Sequence, residues 1–126
     1  MTLFDECKDA LSSDFHLLSL EEEKYVLEKF YKYPFEYGNI NKTSNTINAF
    51  HFNELMKLID EKEISSKVYI LSDMKGIPIF KTNLLLALSK IDDISALSTK
   101  VFILGDGYLA QIVPKEPPID IVRLLI

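Results

Sequence analysis

The sequence predicts an α+β domain: a small, mostly antiparallel sheet with three to four helices packed on it. Three observations predict it. Helix-start signals and helical apolar spacing fill the first half of the chain. From Ser66 the texture changes to short apolar and β-branched runs. Two of those runs flank an Asp-Gly pair in "VFILGDGYLAQIVP" (residues 101–114), a strong hairpin signal. At 126 residues, 48% apolar and 26% charged, the chain 1–126 makes one domain, long enough to bury a core without covalent staples.

The elements follow in order. Thr2 and Asp5 have capping-box spacing, and Leu3, Phe4, Cys7, Ala10 and Leu11 recur as one helical face. Ser12-Ser13-Asp14 ends that helix, and "FHLLS" (15–19) is a short strand candidate. Ser19 and Glu22 repeat the capping-box spacing. The acids around them suit the positive end of a helix dipole. This second helix runs to residue 32 or 33, with Val26, Leu27, Phe30, Tyr31 and Tyr33 on its buried side, and Pro34 stops it. Residues 35–50 are rich in Asn, Thr and Ser and read as a long loop with a short strand near 39–42. Phe52, Leu55, Met56 and Ile59 give a third amphipathic helix.

"KVYILSD" (67–73) has the continuous apolar texture of a central strand, and "MKG" turns it back into "IPIFKT" (77–82). Pro78 places that second strand at an edge or at its own start. Asn83 caps a helix over 84–91, and "DDISALS" (92–98) is a connector or a helical turn. Pro117-Pro118 break the chain before a last apolar run.

Candidate chemistry is sparse. The Gly105-Asp106-Gly107 stretch lacks the Lys-Ser/Thr pair of a P-loop and the third glycine of a dinucleotide fingerprint. The strand-like residues after Gly107 make it a hairpin with Asp106 and Tyr108 at an exposed tip. His16 and His51 sit among apolar neighbours, with no nucleophile or ligand partner in view. Cys7 reads as a core thiol whose acidic neighbours Asp5, Glu6 and Asp9 would raise its pKa. Being the only cysteine, it allows neither an intramolecular disulfide nor a cysteine-based zinc site, and suits a reducing cytosol. Asp92-Asp93 is weak evidence for paired acids, because adjacent residues point in different directions. No catalytic constellation, metal site or cofactor motif assembles.

Charge carries more. The net charge of −5 argues against direct nucleic-acid binding. Residues 1–23 hold Asp5, Glu6, Asp9, Asp14, Glu21, Glu22 and Glu23 against Lys8 alone, a local −6, so the other 103 residues carry +1. This acidity is either a solvated helix face or a surface that meets a basic partner. Tyr37, in the loop after Pro34, is the tyrosine expected to be exposed, and tyrosine is enriched at binding hot spots. The N-terminal residues lack a basic stretch followed by a long apolar one, so no secretory signal is expected. The longest apolar runs are too short to span a bilayer.

"LFDECKDALSSDF" (3–15), "YPF" (33–35), "IPIFKTNLLLAL" (77–88) and "DISALSTKVFIL" (93–104) resemble the small immunity proteins of contact-dependent growth inhibition (CDI) systems. Residues 36–65 lie outside the resemblance. It implies a non-catalytic cytoplasmic protein that binds and blocks a cognate toxin domain, commonly a nuclease such as a tRNA-cleaving RNase. A 1:1 heterodimer is expected, with no cofactor, no direct nucleic-acid contact and no membrane. The resemblance fixes no contact residue. The toxin-binding candidates, taken from charge and exposure, are Asp5, Glu6, Asp9, Asp14, Glu21, Glu22, Glu23, Tyr37, Asp106 and Tyr108. Two other readings stand beside this one. One is a regulatory or scaffold module for a different protein; the other is a small enzyme using Asp73, Asp92, Asp93 or a tyrosine.

Overall fold

The computed structural model describes residues 2–33, 35–36, 39–40, 46–49, 67–73, 76–90, 93–94, 96–98, 100–105, 108–113 and 121–125. Helix α1 (Leu3–Ala10) starts at Thr2, where the capping box closes in both directions. The Thr2 hydroxyl accepts from the Asp5 amide at 3.1 Å, and the Thr2 amide donates to the Asp5 carboxylate at 3.2 Å. A 3-10 turn (Ser12–Asp14) leads into β1 (His16–Leu17). Helix α2 (Leu20–Phe30) follows, capped by Ser19. Short strands β2 (Phe35–Glu36) and β3 (Asn39–Ile40) pair as a separate antiparallel ribbon, and β4 (Thr46–Ala49) joins the main sheet. The third helix expected over the 50s lies outside the described residues.

The second half builds most of that sheet. Strands β5 (Lys67–Ser72), β6 (Phe80–Asn83), β7 (Val101–Gly105), β8 (Tyr108–Val113) and β9 (Ile121–Leu125) join β1 and β4 in the order β1-β6-β5-β7-β8-β9-β4, every pair antiparallel. The expected α+β class is present. As expected, β5 is a central strand, flanked by β6 and β7. Gly76 turns the chain between β5 and β6 with φ +96, a conformation that L side chains rarely adopt. Exposed Pro78 precedes β6 instead of lying within it, so its missing N–H costs no ladder bond. Helix α3 (Leu84–Ser89) follows β6 without a loop. Asn83 closes the strand and also caps the helix, its side-chain oxygen accepting from the Leu86 amide at 3.2 Å.

Both faces of the sheet are covered, which is why its central strands read as unbroken apolar runs. Side chains alternate along each strand. One set, Val68, Ile70, Val101, Ile103, Ala110 and Ile112, packs with Cys7 and Leu11 from α1 and its end, and with Leu84, Ala87 and Leu88 from α3. The other, Leu71, Phe102, Leu104 and Leu109, packs with Val26 of α2. Each fully buried aliphatic or aromatic side chain contributes about 1.5–3 kcal/mol. Helix α2 is thus alone among the described helices on its face.

Two expected positions on the helices differ. Val26, Phe30 and Tyr33 form the i, i+4, i+7 stripe that meets the sheet. Tyr31 falls on its flank, 70% exposed, with its ring edge-on to Phe30 at 5.3 Å. Leu3, in the first turn of α1, is 53% exposed.

Candidate functional site

The acidic N-terminal region does not fold into one patch. Asp5, Glu6 and Asp9 are exposed on α1, which packs on one face of the sheet. Exposed Glu21 and half-buried Glu23 stand on α2, over the opposite face. The strand β1 passes between them at the sheet edge. The sequence groups these acids because they are close along the chain; the chain's passage around the edge strand separates them.

Two acids in the set make contacts with residues distant in the sequence. Glu22 accepts from the Tyr69 hydroxyl and from the Lys81 ammonium, each at 3.2 Å, pinning the first turn of α2 to β5 and β6. The expected second capping box is therefore only half made. Ser19 accepts from the Glu22 amide at 3.2 Å, while the Glu22 carboxylate is engaged on the sheet. Burial, and then the neighbouring Glu22 charge, push the Tyr69 hydroxyl above its ordinary pKa. Asp14 accepts from Lys67 and contacts His16 Nε2 at 2.9 Å. The hydrogen bond from Lys67, followed by that from His16, holds its carboxyl below the ordinary value of 3.8. Asp5 is also lowered, through its backbone and side-chain bonds with Thr2.

At the hairpin, Gly105 pairs with Tyr108 across a two-residue connection, as the Asp-Gly signal implies. Tyr108, however, is a correction to the sequence reading. It is 3% exposed and packs in the α1/α3 core, with its ring folded over Gly105. The hairpin pairs it directly opposite a residue without a side chain, and the ring fills that space. Asp106 and Tyr37 lie outside the described residues.

Cys7 is fully buried, as a core thiol should be. Its pKa is raised to about 11, first by burial and then by Asp93, so the expected direction holds but the acids adjacent in sequence do not cause it. His16 is exposed beside Asp14. Among the described residues no three His, Cys, Asp or Glu side chains group as metal ligands, and no helix is long and apolar enough to cross a membrane.

Among the described residues, two concave features lie along α2. On one flank a cavity of about 320 Å³ opens between the helix and the sheet. Leu27, Phe30 and Tyr31 form its helix wall; Leu71, Phe102 and Ile79 lie across from them. Asp73, just past the end of β5, supplies its one charged group among the described residues. Phe102 meets Phe30 edge-on at 5.0 Å, so three aromatic rings line the space. On the other flank a cavity of about 300 Å³ is bordered by Lys29, Lys32 and Tyr33, with Leu104 and Gly105. The two flanks of one helix therefore differ in character, one apolar with a carboxylate and the other basic.

Helical spacing alone puts Tyr31 on the buried side of α2, and the sequence suggests Asp73 only for an enzyme. The available signals were the helical spacing of Glu23, Leu27 and Tyr31 and the carboxylate at the end of an apolar strand. Neither says that a sheet and a helix leave a gap there. The family model described as CdiI immunity protein, EcoliA0-like, matches residues 1–122 of this chain. No curated protein matches the sequence.

Proposed function

The chain belongs to the CdiI immunity protein family, EcoliA0-like, and on that premise we propose that it neutralises a nuclease toxin by direct binding in the cytoplasm. Membership carries the toxin-neutralising role. The finer reading is a 1:1 complex with an RNase, for which tRNA is the first substrate to test, ahead of a DNase. In this reading the protein acts as an inhibitor without a cofactor, touching neither nucleic acid nor membrane.

The observation that supports a nuclease is the acidic first turn of α2, with a further carboxylate at the end of β5. Glu21 is exposed, Glu23 half-buried, and Asp73 stands at the end of β5. A nuclease presents a basic cleft to hold phosphates, and carboxylates on an inhibitor can take their place. Opposite charge also speeds encounter, which suits a protein that must reach its toxin before the toxin acts. A standard interface takes about 800 Å² from each partner, a small part of the 7427 Å² of accessible surface.

The test uses the toxin domain encoded beside this gene and the double reversal Glu21→Lys with Glu23→Lys. Glu22 is left in place because it holds α2 to the sheet. At low salt the association rate should fall about tenfold, its salt dependence should flatten, and dissociation should change little. Unchanged association at low salt would remove the acidic contact. A toxin domain that cleaves neither RNA nor DNA would remove the nuclease reading.

A further inference from the structure

We propose that the cavity between α2 and the sheet is the anchor site for an arginine side chain of the cognate toxin. This inference rests on the toxin-binding reading above and assigns that binding to one pocket.

The lining selects the ligand class. The Phe30 ring lies 5.3 Å from that of Tyr31 and 5.0 Å from that of Phe102, and Leu27, Leu71 and Ile79 complete an apolar wall. Asp73 is exposed at its border. One Asp73 oxygen accepts from the Ser98 hydroxyl, and its amide donates to the Lys100 carbonyl at 3.2 Å. Those bonds fix the strand end, leaving the second carboxylate oxygen without a partner among the described residues. A guest for such a space needs an apolar body, a cationic head and a flat face for the rings.

Arginine meets all three requirements. Its methylene stem can lie along apolar surface while the guanidinium reaches the carboxylate. Guanidinium over an aromatic face is the commoner cation–π pair in proteins. The volume, about 320 Å³, lies at the small end of ligand pockets, which suits one inserted side chain better than a cofactor. Tyr31, 70% exposed at the mouth, is of the residue type that closes over such an anchor at protein interfaces. Glu23 lies one turn before Leu27 on the same helix and adds negative charge along the approach. The basic flank bordered by Lys29 and Lys32 would repel the same guest.

The experiment measures affinity for the purified toxin domain with Asp73→Asn and Tyr31→Ala, and with Lys90→Gln, exposed at the end of α3 on the opposite face, as a control. Thermal unfolding of each variant is read alongside. Each pocket variant should weaken binding about tenfold or more, with the control within twofold and all melting temperatures near wild type. Each toxin arginine is then replaced by alanine and combined with Asp73→Asn. One arginine should lose most of its effect in the Asp73→Asn background, which identifies the inserted residue. Wild-type binding with both pocket variants within twofold overturns the pocket and leaves the immunity role standing. Absence of wild-type binding overturns both. Weakened binding with no coupled arginine also overturns the assignment. So does a dimer of this chain that the pocket variants dissociate, or a loss of fold in Tyr31→Ala, because the cavity would then be filled by the chain's own residues.

Discussion

Replacing Gly105 by alanine should destabilise the protein, by an amount that follows from one contact. A Cβ built on Gly105 would lie 2.1 Å from the Tyr108 Cζ, 2.2 Å from its Cε1 and 2.5 Å from its hydroxyl oxygen, where ordinary contact is 3.4–4 Å. The Tyr108 ring would have to retreat by more than an ångström. It is 3% exposed and surrounded by packed core, so the movement must displace neighbours. Overpacking of this kind costs about 1–3 kcal/mol. Alanine recovers roughly 0.5–1 kcal/mol over glycine in a strand, because it loses less backbone entropy on folding. The net loss is about 0–2.5 kcal/mol, centred near 1 kcal/mol. For a chain of this size, that lowers the melting temperature by up to about 10 °C. Calorimetry or circular dichroism would measure it. The decisive comparison is the same substitution in a Tyr108→Ala background. With the ring gone the clash disappears, and Gly105→Ala should become neutral or slightly stabilising. An equal loss in both backgrounds would refute the claim that Tyr108 is what requires glycine at 105.

Two further outcomes follow from the internal roles of side chains. Glu22→Gln keeps an acceptor for Tyr69 but removes the charge facing Lys81; both ion-pair partners are about a third exposed, so solvent screening limits the loss to about 0.5–1 kcal/mol in chemical denaturation. The same change should lower the pH at which Tyr69 ionises without restoring its ordinary value, since burial is the larger cause; an unchanged ultraviolet titration would show that Glu22 exerts no field there. Cys7 should resist a thiol reagent at mild alkaline pH until the protein opens, because the thiol is fully buried and titrates near 11. Its folded pKa is raised, so the associated stability is complete below about 9 and declines as pH rises toward 11; labelling within minutes in native buffer would contradict this.

Much of the fold was legible because its signals are local. Thr2 with Asp5, Ser19 with the Glu22 amide, and Asn83 with the Leu86 amide are contacts across three residues, and each start signal lies where its helix begins. The Gly105–Tyr108 hairpin and the Gly76 turn are likewise short-range choices of backbone angle. The candidate site was less legible because its parts come from distant stretches. Asp73 and Tyr31 belong to different halves of the chain and line one cavity only because α2 packs across the sheet. Glu22 looked like a free surface acid and a capping residue, yet its carboxylate is held by Tyr69 and Lys81, contacts made across 47 and 59 positions.

The sequence alone determined the α+β class, the helix starts, the central β5 strand and the hairpin at Gly105, all of which depend on periodicity or on neighbouring residues. The resemblance carried in residues 3–15, 33–35, 77–88 and 93–104 also led to the family that residues 1–122 match. The tertiary structure decided which face each acid occupies, that Tyr108 is buried and Tyr31 exposed, and that α2 leaves an acid-tipped aromatic cavity. The physical reason is that a helix or strand position fixes only an angle about its own axis. Whether that angle meets solvent, a carboxylate or a ring depends on which element packs beside it, and only the assembled sheet supplies that neighbour.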